Sequence, residues 1–407
     1  MIPFSPPRID QQIIDEVVNT LKSGWITTGP RTKMFEKRLA EYCNVPEVLC
    51  LNSATAGLEL MLQWYGVKTG DEVIMPAYTY CATANVVIHC GAKPVFVDIN
   101  DDFNISLKQI ENAITEKTKV IMPVDIAGFP CDYDEINTLV KRADIVEKFQ
   151  AATEEQKKLS RILVLSDAAH SLGAVYKGKK TGSLSDVTVF SFHAVKNLTT
   201  AEGGAVCLNL PEPFNNRALY DYFCIKSLHG QNKDALSKTK IGNWRYDVIE
   251  AGYKLNMTDI QAAMGLVELA RYDADMLIRR KKIFHTYSDK FAKYSWAQLP
   301  EYESINKTTS YHVYLLRIKN ITEIQRDEII SRIFEKQVGV NVHFIPLPLM
   351  SFYKKLGYCI ENYPSTYNNY SREISLPVYY DLTDEQINIV ADAVISSVEE
   401  TRNIIYL

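Results

Sequence analysis

From residue 34 to about residue 210, apolar runs of strand length alternate with longer amphipathic segments, and this alternation constrains the fold more than any other feature. The runs are VLCL (48–51), EVIM (72–75), PVFV (94–97), KVIM (119–122), RILVLS (161–166), VTVFSF (187–192) and AVCLN (205–209). They are apolar throughout, as a sheet covered on both faces requires. Between them, ATAGLELMLQWY, TANVVIHC, LKQIENAI and the charged stretch from Asp134 to Leu159 carry helical patterning. Strands alternating with helices predict βαβ units and an α/β fold with a mostly parallel sheet.

The pattern changes after about residue 250. Thr258 and Asp259 offer an N-cap region for TDIQAAMGLVELARYDADMLIRRKKIFHTYSDKFAKY, which predicts one long helix bridging two units. Beyond it the sequence predicts a strand near 311–318, a helix near 322–335, a short strand near 339–344 and a terminal helix near 383–399. Two domains follow: a large α/β domain over 10–255 and a smaller α+β domain over 256–407, with residues 1–9 packing on either.

Composition removes several classes. Across 407 residues, 45 Lys+Arg against 49 Asp+Glu leave a net charge of −4, without the basic footprint of a nucleic-acid binder. No apolar run approaches the ~18 residues of a membrane helix. The start, MIPFSPPRIDQQIIDEV, has neither a basic n-region nor an apolar h-region, so a cytoplasmic protein is expected. The eight cysteines form no C-x-x-C pair, and most lie in apolar stretches such as VLCL and AVCL. They read as buried reduced thiols, with no metal site.

Ligands of open α/β sheets sit at the carboxyl ends of strands. Four such ends are informative. NSATAG (52–57) joins a strand to a helix start, where small residues and free amides suit a phosphate. Ser and Thr there also serve as plain N-caps. Asp167 leaves a buried strand, and its carboxylate needs a partner, either a loop or a protonated ring nitrogen. His170 could orient it, touch the same ring, or be structural. Lys196 closely follows a buried strand and precedes a Gly-Gly turn. It is either a surface loop lysine or a desolvated amine able to attack carbonyls. Ser191, five residues earlier, could offer a hydroxyl to a phosphate. In PAYTYCAT (76–83), Tyr80 either packs in the core or stacks on a planar ring. Taken together, these elements describe a pyridoxal 5'-phosphate site.

The run SDAAHSLGAVYKGKKTGSLSDVTVFSFHAVKNLTTAEGGAV resembles the core motif of the DegT-type sugar aminotransferases, the DegT–DnrJ–StrS family. The likeness extends to SGWITTGPRTKMFEKRLAEY, NSATAGLEL, PAYTYCATANVV, AGYKLNMTDIQAAMGL and REISLPVYYDLT. It implies a fold-type I, aspartate aminotransferase-like enzyme. Within the family the chain is similar to the 4-aminotransferases of UDP-linked 4-keto sugars. The resemblance implies that Lys196 carries pyridoxal phosphate as a Schiff base and that Asp167 pairs with its ring nitrogen. It places His170 near the phenolic oxygen, Tyr80 on the ring, and Ala54, Thr55 and Ser191 at the phosphate. It also implies a homodimer, with Asn256 of GYKLNMTD reaching the phosphate of the second subunit. Many members have G-Y-N-Y-R-M there, whereas this chain has Lys254 and Asn256. Thr28, Gly29, Trp244, Arg245, His312 and His343 are the candidate sugar contacts. Family dehydratases carry histidine in place of the lysine, so Lys196 favours transamination, with L-glutamate as donor. The implied sugar is a UDP-2-acetamido-2,6-dideoxy-4-ketohexose, with a UDP-4-ketopentose as the alternative. A non-catalytic regulator on the same scaffold is a third reading. A dinucleotide oxidoreductase lacks its G-x-G-x-x-G after the first strand.

Overall fold

The computed structural model describes residues 1–232 and 245–405. Thirteen strands occur among them. They are β1 Glu47–Leu51, β2 Glu72–Pro76, β3 Lys93–Val97, β4 Thr118–Ile121, β5 Leu163–Asp167, β6 Val175–Tyr176, β7 Lys179–Lys180, β8 Val187–Ser191, β9 Gly204–Leu208, β10 Ala297–Gln298, β11 Lys307–Thr308, β12 Tyr314–Ile318 and β13 Glu373–Leu376. All seven apolar runs of the first half are strands of one sheet, in the order β1-β9-β8-β5-β4-β2-β3. Only β9 runs against the rest.

Both faces of that sheet are covered, which accounts for the continuous apolar runs. Leu49, Leu51, Val187, Val189, Val206 and Leu208 pack under the helix Ala54–Trp64 through Leu58 and Leu62. The alternate residues Val48, Cys50, Phe190, Ala205 and Cys207 pack on Phe35, Leu39, Ala262 and Tyr272. A second core gathers around the antiparallel sheet β10-β12-β13. Tyr314, Leu316, Ile374 and Leu376 meet Ile329 and Ile333 of the helix Glu323–Glu335 and Val390 and Val394 of the helix Asp384–Ile405. The third sheet is the small β11-β6-β7 ribbon.

Three expectations are corrected. The single long helix is two, Asp259–Ala270 and Leu277–Phe291, separated by a π-helical turn at Tyr272–Met276. The wider turn shifts the helical register, so Tyr272 and Met276 both face the core and the Tyr272 hydroxyl donates to the Leu172 carbonyl at 2.8 Å. The start is as read: Thr258 and Gln261 form a capping box. The charged stretch 134–159 is three short helices, Tyr133–Leu139, Ala143–Val146 and Glu154–Leu159. No strand forms over 339–344, only an isolated bridge between Asn341 and Ser375. The His343 amide there donates to the side chains of Glu373 and Ser375 instead of a ladder.

Among the described residues, no helix is long and apolar enough to cross a membrane. All eight cysteines are free thiols.

Candidate active site

The residues that follow β1, β2, β4, β5 and β8 converge on one cavity of about 350 Å³. Because β9 is reversed, its beginning reaches the same edge, and Gly203 lines the cavity too. After β1 the chain turns at once into the helix Ala54–Trp64. Ser53 caps it, its Oγ accepting from the Ala56 amide at 3.1 Å. The amides of Ala54 and Thr55 belong to the first turn, where no carbonyl lies behind them, and both residues line the cavity. Gly204 allows this arrangement. A Cβ there would stand 2.4 Å from the Ala54 nitrogen, so any side chain would drive β9 off the helix start.

Asp167 closes β5 and is 6% exposed. Its Oδ2 accepts from Thr83 Oγ1 at 2.8 Å, and its Oδ1 from the Ala169 amide at 3.3 Å. Burial pushes its carboxyl above the ordinary range, while these two bonds and the charge of Lys196 pull it back. Lys196 sits in the loop between β8 and β9 and lines the same cavity. Burial lowers its ammonium to about 8, and Asp167 is the anion that opposes the fall. The two groups thus hold each other charged in a poorly solvated place.

Three histidines complete the wall. His170 lies with its ring centroid 4.3 Å from that of His312, and its Nδ1 is buried without a hydrogen-bond partner among the described residues. His312 Nδ1 lies 2.7 Å from Asn197 Oδ1, and the Asn197 amide group donates to the Ser310 carbonyl at 2.7 Å. That second bond fixes the side-chain amide, so His312 carries its proton on Nδ1. His343 Nδ1 lies 3.0 Å from Ser375 Oγ. Burial first, and the charge of Lys196 second for His170 and His343, keep the rings neutral; His343 is held at about 3.

Tyr80 is 59% exposed and lines the cavity, its ring centroid 5.8 Å from that of Phe344. Ser191, at the end of β8, lines it as well. Ala54, Thr55, Tyr80, Asp167, His170, Ser191, Lys196, His312 and His343 therefore share one cavity. Thr28, Gly29 and Asn256 do not line it, nor does the exposed Arg245; Trp244 lies outside the described residues. The first three form a unit of their own. Asn256 Nδ2 donates to Thr28 Oγ1 at 2.7 Å, Thr28 Oγ1 to the Met257 carbonyl at 2.5 Å, and the Gly29 amide to Asp259 Oδ1 at 2.8 Å. Phe344 also lines the cavity and Thr83 binds Asp167, and no motif in the sequence points to either role. Thr83 sits one helical turn beyond Tyr80, but only the fold brings it to Asp167.

The cavity fits pyridoxal phosphate. Free amides at a helix start suit its phosphate, a buried carboxyl its ring nitrogen, and a desolvated amine its aldehyde. The unpartnered His170 Nδ1 suits a polar group of such a ligand. The mostly parallel seven-stranded sheet and this cavity define a fold-type I, aspartate aminotransferase-like transferase that depends on pyridoxal phosphate. The chain belongs to the DegT/DnrJ/EryC1/StrS aminotransferase family, whose profile matches residues 7–395. It is similar to the Streptococcus pneumoniae protein Spr1654, described as a sugar aminotransferase, in its PMP form. The identity is 46% and the TM-score 0.94, over 98% of this chain and 100% of that one. It is 41% identical to the Methanocaldococcus jannaschii protein MJ1066, over 98% of each chain. It is 36% identical to the spore coat polysaccharide biosynthesis protein SpsC of Bacillus subtilis, over 97% of this chain and 96% of that one. The protein is a sugar aminotransferase, and its cofactor is pyridoxal phosphate.

Proposed function

We propose that the enzyme moves the amino group of L-glutamate to C4 of a UDP-linked 4-keto sugar, in the biosynthesis of a bacterial surface polysaccharide or glycan. The preferred substrate is a UDP-2-acetamido-2,6-dideoxy-4-ketohexose, and the alternative a UDP-4-ketopentose. The observation that carries the chemistry is the meeting of Lys196, Asp167 and the amides of Ala54 and Thr55 in one cavity. The likeness of the motifs to UDP-4-ketosugar aminotransferases supports the substrate, and the similarity to SpsC supports the pathway class.

Bound pyridoxal phosphate supplies the carbonyl that receives the amino group and the ring that accepts electrons. The remaining roles fall to this chain. Asp167 keeps the ring nitrogen protonated, and Thr83 keeps Asp167 in place. Ala54, Thr55 and Ser191 would hold the phosphate, Tyr80 would cover the ring, and His170 would lie near its phenolic oxygen. Lys196 Nζ, lowered to about 8, spends part of its time uncharged near neutral pH and can take and return the proton at the reacting carbon. Glutamate and sugar use one site in turn, so the kinetics are ping-pong.

The working unit in this reading is a cytoplasmic homodimer with shared sites. Asn256, hydrogen-bonded to Thr28, is presented to the phosphate of the second subunit, and Thr28 and Gly29 border the second sugar pocket. His312, His343, Trp244 and Arg245 are the remaining sugar contacts, with the pocket between the two domains and the two subunits. The test is a panel of nucleotide 4-keto sugars incubated with glutamate, the products read by mass spectrometry and NMR. An amine at C4 of a UDP-hexose is expected. Amination of none of the UDP-4-keto sugars would refute the proposal.

A further inference from the structure

The His343 ring lines the cavity on one side and is tied on the other to a pair of fully buried side chains. Ser375 Oγ lies 3.0 Å from His343 Nδ1 and 2.6 Å from Glu373 Oε1. The His343 amide donates to Ser375 Oγ at 3.1 Å and to Glu373 Oε2 at 3.2 Å, which fixes the geometry of the chain. With Nδ1 turned to Ser375, Nε2 is the polar ring atom left for the cavity. Glu373 and Ser375 are both 0% exposed, so no solvent enters this row from behind.

We propose that Glu373 is a positioning residue which, through Ser375, sets the ring nitrogen of His343 that carries the proton, and so whether His343 offers the substrate a donor or an acceptor. The inference rests on the reading of this cavity as the sugar site. Two arrangements satisfy the row. When Glu373 is protonated, it donates to Ser375 Oγ, the serine hydroxyl donates to His343 Nδ1, and Nε2–H points into the cavity. When Glu373 is ionised, the serine hydroxyl donates to the carboxylate, His343 Nδ1–H donates to Ser375 Oγ, and Nε2 presents a lone pair. The two differ by one proton. It leaves from Nε2 into the cavity while the serine proton passes to Nδ1 and the carboxyl proton passes to Oγ. The imidazole is neutral in both.

The groups facing Glu373 set where the exchange occurs. Arg317 comes from β12, Arg326 from the helix Glu323–Glu335, and Tyr78 from the segment after β2. Arg326 Nη1 also binds the Glu373 carbonyl at 3.0 Å, and Tyr78 hydrogen-bonds the His343 carbonyl through its hydroxyl. Burial raises the Glu373 carboxyl, and the two guanidinium groups and the Ser375 bond only partly offset it, leaving it at about 8. The half-buried His343 ring faces the Lys196 charge and the His170 ring, whose centroid is 6.5 Å away, with His312 beyond it, and it stacks on Phe4.

The test is 15N NMR of the full-length protein labelled at histidine, with His343 assigned by its loss in His343→Gln. Wild-type His343 is expected to carry its proton on Nε2 at pH 6 and on Nδ1 at pH 9.5. Glu373→Gln should hold Nε2–H at both pH values. Ser375→Ala, which keeps the carboxyl but breaks the row, should abolish the pH response and carries the test alone if the glutamine variant fails to fold. In steady-state kinetics, the pH dependence of the KM for the keto sugar around pH 8 should vanish in Glu373→Gln while kcat keeps its profile. A wild-type tautomer unchanged from pH 6 to 9.5, or a switch that survives both substitutions, overturns the proposal. The NMR readout needs no substrate, so it succeeds or fails independently of the sugar assignment.

Discussion

Freed of its cofactor, the protein exposes the Lys196 amine to a direct measurement. An ordinary lysine titrates at 10.5, and burial brings this one to about 8. At pH 7 about one Lys196 in ten is then uncharged, against about one in 3,000 for an ordinary lysine, a gain of about 300-fold in nucleophilic amine. Burial and Asp167 act in opposite directions, so the substitution that separates them is Asp167→Asn. It removes the anion that favours the charged amine, and the midpoint should fall further, by about one unit. The assay is competitive acetylation with trace reagent between pH 6 and 11, the Lys196 peptide being quantified by mass spectrometry against a free lysine standard. The labelling rate of Lys196 should level off near pH 8 in the wild type and at lower pH in Asp167→Asn. A wild-type midpoint near 10.5, or an upward shift in the variant, would refute the view that desolvation sets this amine. The shift also bears on stability. The unfolded chain binds one more proton between pH 8 and 10.5, so the apo protein should gain stability from Lys196 as pH rises through that window.

Three further outcomes follow from the geometry. In Gly204→Ala the new Cβ meets the Ala54 nitrogen at 2.4 Å and the Ser53 carbonyl carbon at 2.5 Å. The overpacking should cost about 1–3 kcal/mol in thermal melts and weaken cofactor uptake in a fluorescence titration. Arg161 and Asp186, 9% and 7% exposed, form a two-pronged pair with both bonds at 2.7 Å, and Asp186 also accepts from the Val164 amide of β5 at 3.0 Å. Asp186→Ala leaves a buried cation unpaired beside the strand that carries Asp167. A loss of about 3–5 kcal/mol is expected in urea unfolding. Glu373 titrates at 4.5 when unfolded and at about 8 when folded, so its contribution is full below pH 4.5 and is lost as pH rises to 8. Glutamine does not titrate; the Tm of Glu373→Gln relative to wild type should therefore increase from pH 5 to pH 8.

The sheet was legible because burial on both faces writes itself into continuous apolar runs, and all seven strands lie where those runs stand. The residues at its strand ends were legible only in combination. Asp167 ends a buried strand and Lys196 follows one by five residues. Each alone has a bland reading, a loop partner or a surface lysine. It is their occurrence together with NSATAG and Tyr80 at neighbouring strand ends that points to one site. What failed was local patterning without a tertiary check. The 258–294 segment keeps a helical pattern straight across the π turn, because the register shift is fixed by Tyr272 reaching Leu172 far away in sequence. Residues 339–344 have strand composition, yet His343 spends its amide on buried side chains from β13. Thr83, Phe344 and the Glu373–Ser375 pair were invisible for the same reason, since their roles come from contacts across the fold.

The central claim is that Lys196 carries the cofactor, and borohydride reduction tests it most directly. Reduction converts the lysine–cofactor linkage to a stable secondary amine, and peptide mass spectrometry then locates it. The account predicts a phosphopyridoxyl group on the peptide containing Lys196, on no other lysine, and on none at all in Lys196→Ala. Label on a different lysine, or wild-type labelling that persists in that variant, would contradict it.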